Sequence, residues 1–110
     1  MKGYEEVTSV NQWKDILEES KKQQVLLLKH STTCPVSAHA YREFTSFDSP
    51  IKTYLVKVIE SRAVSNEIGN DLAIRHESPQ VFLITNGNAI WSASHWKITK
   101  KEMEKAVESI

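Results

Sequence analysis

Apolar and polar positions recur along this chain with two periods, and the changes of period mark its elements. Val10, Trp13, Ile16 and Leu17 return at helical spacing, while Glu18, Glu19, Lys21 and Lys22 fall toward water. This predicts a helix over about 10–22. Ser9 with Gln12 reads as its capping box. Gln23-Gln24 breaks the pattern, and Val25 to Ser31 forms an apolar run that turns polar at its end. A short continuous run of this kind is expected of a central strand covered on both faces. Pro35 then opens a helix at the position where a missing N–H costs nothing. Ala38, Tyr41, Phe44 and Phe47 are expected on its inner face, and Asp48-Ser49-Pro50 stops it.

Thr53 to Glu60 is a second strand, rich in β-branched residues. Two strands around one helix make a βαβ unit, so they should be parallel and joined by a right-handed crossover. Val64, Ile68, Leu72 and Ile74 predict a helix within Ser61–Ile74, with Gly69 tolerated inside it. Arg75 to Pro79 is a break. Strands Val81–Ile84 and Ala89–Ala93 are separated by Asn86-Gly87, a hairpin signal because both turn residues need positive φ. Thr99 with Glu102 caps a final helix, with Met103, Ala106, Val107 and Ile110 inward. The expected fold is α/β, one domain over 1–110, with a four-stranded mixed sheet and helices on both faces. Strand 25–31 is central, 54–59 is its parallel neighbour and 81–84 its antiparallel one.

Composition narrows the partners. Fourteen basic residues balance fourteen acidic ones, which gives no electrostatic reason to expect nucleic acid or an anionic membrane. The longest apolar run is too short to span a bilayer. The first residues lack the apolar stretch of a secretory signal. One cysteine cannot form an internal disulfide, and the expected setting is reducing and cytoplasmic. One Cys and four scattered His offer no four-ligand zinc spacing.

That cysteine, Cys34, lies where the central strand gives way to a helix. Unpaired N–H groups and the helix dipole favour a thiolate there. Its neighbours are small and polar, so a disulfide can reach it, whereas a lone cysteine without such a setting is more often an inert apolar residue. A stabilised thiolate attacks little faster, because its nucleophilicity drops with its basicity, but it leaves more readily. The site therefore favours passing an adduct onward. In Cys34-Pro35-Val36-Ser37, serine stands where a dithiol site has its second cysteine.

The element order is similar to the thioredoxin fold. The Thr33-Cys34-Pro35-Val36-Ser37 string, Glu60-Ser61-Arg62 and Ile74 to Gln80 resemble the monothiol bacilliredoxins of the YtxJ-like family across nearly the whole chain. The resemblance implies a cytoplasmic thiol-disulfide oxidoreductase with no tightly bound cofactor and no metal. Its co-substrate would be bacillithiol, a cysteinyl-glucosaminyl-malate thiol, and its partners bacillithiolated client proteins. Cys34 would take bacillithiol from the client, and a second bacillithiol or a partner reductase would free it. Pro79 would be the cis-proline of the fold, with the Ser78 backbone offered to the bound thiol. Glycine follows the cysteine in cluster-binding monothiol glutaredoxins, where this chain has Pro35. Glutaredoxins often carry lysine where it has Ser31. Both departures count against glutathione and iron–sulfur clusters. The alternatives are a non-catalytic thioredoxin-like binding module, a stress-related redox adaptor, or a carrier of a cluster or metal.

Arg62, Arg75 and His76 border the active face in this fold. They either capture the malate carboxylates or are solvated surface charges. Lys29 and His30 end the central strand and either add positive potential or point away. Thr33 either caps the helix or touches ligand. Ser37 is placed to donate a hydrogen bond to the thiolate, or is a filler hydroxyl. His39 is too far round the helix to serve Cys34 as a base. His95 belongs to surface or packing, and Trp13 to the core.

Overall fold

Strand β2 (Val25–His30) lies in the middle of a five-stranded sheet, and all six of its residues are buried. In this computed structural model, residues 3–108 are described. Val25 and Leu27 enter one core with Trp13, Ile16, Val64, Ile68, Phe82 and Ile84. Leu26 and Leu28 enter the other with Ala40, Phe44, Leu55, Val81 and Met103. Helices α1 (Val10–Glu19) and α3 (Arg62–Leu72) cover the first face, and α2 (Pro35–Ser46) and α4 (Lys100–Glu108) the second. Burial on both sides is why the β2 sequence does not alternate.

Strand β3 (Lys52–Lys57) pairs parallel with β2, with Leu55 beside Leu28. Strand β4 (Gln80–Thr85) pairs antiparallel on the other side, with Val81 beside Leu28. Strand β5 (Asn88–Ser94) completes the hairpin through Asn86 (φ 55°) and Gly87 (φ 78°), the two positive values the Asn-Gly turn demands. Ser9 and Thr99 cap as expected, accepting from the N–H groups of Gln12 and Glu102 at 3.1 Å. Trp13 is fully buried. Among the described residues no helix is long and apolar enough to cross a membrane.

The sheet has five strands, not the four expected. The fifth, β1 (Tyr4–Glu6), runs parallel to β3 at the edge. Its Tyr-Glu-Glu sequence has no apolar rhythm; pairing holds it, with the Tyr4 hydroxyl 2.9 Å from that of Tyr41. Helix α1 ends at Glu19 rather than near 22. Ser20 is buried there, and its carbonyl and hydroxyl accept the N–H groups of Asn86 (2.7 Å) and Gly87 (2.9 Å). The inner face of α2 is Ser37, Ala40 and Phe44, with Phe47 after it, while Ala38 and Tyr41 are only half-buried. Helix α3 stops at Leu72 because Ala73 turns left-handed (φ 56°), leaving Ile74 outside. Ile110 lies outside the described residues.

Candidate active site

Cys34 is the N-cap residue of α2, with extended backbone (φ −106°, ψ 126°) and a half-buried side chain. Its N–H donates to the Ser31 carbonyl (3.3 Å), closing the turn that leads out of β2. Its own carbonyl accepts from Ala38 (2.9 Å), which starts the helix. Pro35 occupies the first helical turn, and no side chain caps it. The group at the cap position of an otherwise uncapped helix is therefore a thiol.

Ser37 is turned inward from the first turn of α2. It is 0% exposed. Its hydroxyl accepts from the Ser31 N–H (2.8 Å) and shares a hydrogen bond with His30 Nδ1 (2.8 Å). The bond expected from Ser37 to Cys34 is not formed; the hydroxyl is turned to the loop and the strand. His30 stacks on Tyr41, with centroids 4.9 Å apart. Burial, then the Lys57 charge, push its imidazole below the ordinary range. Thr33 is exposed and precedes the cap residue, so it does not cap the helix. Thr32 reaches across to Glu60 (3.3 Å).

The other wall comes from the entry to β4. The Ser78–Pro79 peptide is cis. Pairing of Lys29 with Gln80 sets this entry at the end of β2 that leads to Cys34. Gln80, which the sequence reading did not single out, shapes the wall. Its buried amide accepts from the Glu77 N–H (3.2 Å) and donates to the Arg75 carbonyl (3.1 Å). A polar residue opening a buried strand just after proline was its one signal. The Pro79 carbonyl accepts from the His95 N–H (3.1 Å), and the His95 ring pairs with Glu77 (3.2 Å). The short 3₁₀ turn His95–Lys97 is thus fastened to the cis-proline segment. It also carries Trp96, which is 61% exposed and leans on His39 of α2 (centroids 5.0 Å apart).

The cationic candidates separate into two kinds. Arg62 opens α3 and Arg75 precedes the cis-proline; both are exposed, and neither has an ion-pair partner among the described residues. Exposed His76 accepts at Nδ1 from the Lys29 ammonium, 3.2 Å away. Burial, then the Lys29 and Arg62 charges, hold its pKa low. Lys29 itself is 0% exposed, and burial lowers its ammonium to about 8. Alternation along β2 sends Lys29 toward α3 and His30 toward α2.

The arrangement is a reachable thiol at a helix cap, with a cis-proline wall at the same end of the sheet. Residues 5–103 match the family described as monothiol bacilliredoxin BrxC. The chain belongs to the monothiol bacilliredoxin family. A solved structure described as a candidate oxidoreductase with a thioredoxin fold is 34% identical, with a TM-score of 0.86. That match covers 94% of this chain and 93% of the other. The thioredoxin of Malassezia sympodialis is 18% identical (TM-score 0.79), covering 99% of this chain and 91% of that one. The thioredoxin of Schistosoma mansoni is 14% identical (TM-score 0.78), with 97% and 94% covered. These two share the fold. As a monothiol bacilliredoxin with the thioredoxin fold, the protein is a thiol redox protein, and Cys34 is its single cysteine.

Proposed function

We propose that the protein removes bacillithiol from mixed disulfides on client proteins. The observation that carries this reading is Cys34 at the uncapped N-terminus of α2 in a chain of the monothiol bacilliredoxin family. The Cys34 thiolate attacks the bacillithiol sulfur of the client's disulfide. A bond forms between these two sulfurs, the old S–S bond breaks, and its electron pair leaves on the client sulfur, which takes up a proton. A second bacillithiol thiolate then attacks the adduct, giving bacillithiol disulfide and restoring Cys34. A partner reductase that supplies a thiolate would serve equally. The absence of a second cysteine requires that this thiol come from outside.

In this reading Thr33 and Pro35 border the sulfur, and the Ser78 backbone beside Pro79 pairs with the incoming thiol's backbone. Arg62, Arg75 and His76 supply positive charge for the malate carboxylates. Ser37 contributes from inside, by fixing the loop. The clients are bacillithiolated proteins of a reducing cytoplasm, and no cofactor is held between turnovers.

The test is incubation with a bacillithiolated client. The native protein is expected to release the client thiol and to gain one bacillithiol mass on Cys34. Equal release by Cys34→Ala would sink the proposal.

A further inference from the structure

Lys29 is sealed near the end of β2, and among the described residues no carboxylate pairs with it. Helix α3 roofs it at Gly69, where a methyl group would stand 3.9 Å from Lys29 Nζ. The Phe82 ring lies 5.8 Å from the ammonium. An apolar side chain of similar length would fill this space without burying a charge. Packing alone does not call for a lysine here, which turns attention to the hydrogen bond it makes.

That bond goes to His76 Nδ1, 3.2 Å away. An ammonium only donates, so Nδ1 accepts and the neutral ring carries its proton on Nε2. Both chain neighbours of His76 are held as well. The Gln80 amide accepts from the Glu77 N–H (3.2 Å) and donates to the Arg75 carbonyl (3.1 Å). Gln80 is the β4 residue paired with Lys29, and residues directly opposite each other in a sheet share a face. Two adjacent side chains, one from each strand, thus fasten three consecutive residues, Arg75, His76 and Glu77. The next two residues, Ser78 and Pro79, are the entry to β4 at the Cys34 end of the sheet.

We propose that Lys29 is a positioning residue for disulfide exchange at Cys34: through its bond to His76 it holds the Arg75–Pro79 segment where an incoming disulfide meets it. Lys29 itself touches no ligand. The bond ties the segment to the central strand, which also carries the turn to Cys34, so one strand sets both walls of the site. Without it the imidazole is released and Gln80 alone holds the segment. The inference rests on the exchange step proposed above, whichever thiol the disulfide carries.

The probe is a short neutral peptide whose cysteine is joined to thionitrobenzoate. The Cys34 thiolate attacks the peptide sulfur, a Cys34–peptide disulfide forms, and the electron pair leaves on thionitrobenzoate, whose colour is followed. The peptide has no carboxylate for His76 to bind. Lys29→Met should slow this step about tenfold, the scale on which small misplacements act, while alkylation of Cys34 by iodoacetamide, which needs no wall, keeps the native rate. The variant loses a buried charge and should be at least as stable as the native chain at pH 7, so slower exchange is not loss of fold. His76→Leu should slow exchange to a similar degree, and the double variant no further than the slower single, since all three lack the same bond. Nitrogen NMR should find the native His76 ring protonated at Nε2, a preference that Lys29→Met loses. Native exchange rates in Lys29→Met, additive losses in the double variant, equal slowing of alkylation, or a native ring protonated at Nδ1 each overturns the proposal. Lys29→Met is also compared with oxidised bacillithiol, scored by adduct mass on Cys34, and is judged on whichever reagent the native protein accepts. Native reaction with the peptide disulfide alone defeats the bacillithiol reading and leaves the Lys29 result standing; native reaction with neither defeats both.

Discussion

The Ser37 hydroxyl accepts a 2.8 Å hydrogen bond from the Ser31 N–H, so the residue in the place of a second thiol holds the loop that carries the first. Removing it strands a buried donor, which costs ~1–3 kcal/mol. Ser37→Ala is therefore expected to lower unfolding stability by about that amount in urea. Cys34 should still accept one bacillithiol. A variant as stable as the native chain would show that the loop does not depend on this bond.

Lys29 makes a second prediction, in alkaline solution. Its folded pKa of about 8 lies below the ordinary lysine value of about 10.4. Between these values the unfolded chain binds more protons, so stability rises with pH. The rise is on the order of 3 kcal/mol across the window. Lys29→Met lacks the buried charge and should be the more stable protein at pH 7, with the gap closing toward pH 10. Tyr4, raised to about 12 by its hydrogen bond to Tyr41, and Tyr54, raised by burial and by Glu19, oppose the trend at high pH. Both chains share these tyrosines, so the difference between them isolates Lys29. A constant gap from pH 7 to 10 would contradict the assignment.

On the acid side the histidines act. Burial holds both His30 and His76 below the usual imidazole range. As pH falls through about 6.5, the unfolded chain takes up protons first and stability drops. The urea midpoint should be lower at pH 5.5 than at pH 7. His30→Gln should flatten part of this slope.

Gln80 ties Glu77 to Arg75 beneath the cis-proline wall. Gln80→Leu leaves the Glu77 N–H and the Arg75 carbonyl without those partners, at ~1–3 kcal/mol. Exchange of Cys34 with oxidised bacillithiol should slow several-fold, since the wall is no longer held. Stopped-flow rates identical to the native protein would separate Gln80 from the site.

Local signals were legible where a local cause produces them. The β2 run, the Asn86-Gly87 turn and the caps at Ser9 and Thr99 each follow from chemistry within a few residues, and the sheet order followed from their sequence. Cys34 stood out for the same reason, at a strand-to-helix junction, whereas Pro79 stood out through the resemblance to the family. What escaped depends on distant partners. Strand β1 exists because β3 offers it an edge. Ser20, Ser37 and Gln80 are polar residues buried on account of bonds to a hairpin turn, a loop amide and a segment before a cis-proline. Periodicity places such side chains in water, because it scores polarity and not the partner that satisfies it.

Trp96 gives the protein an optical handle on its own site. It stands 61% exposed against His39 on the helix that Cys34 begins, while Trp13 is sealed in the core. A client that seats against this flank displaces water from the Trp96 indole and leaves Trp13 untouched; half-buried Trp91, on β5, is the third indole. Docking should then appear as a blue shift in intrinsic emission that Trp96→Phe removes, read without any label.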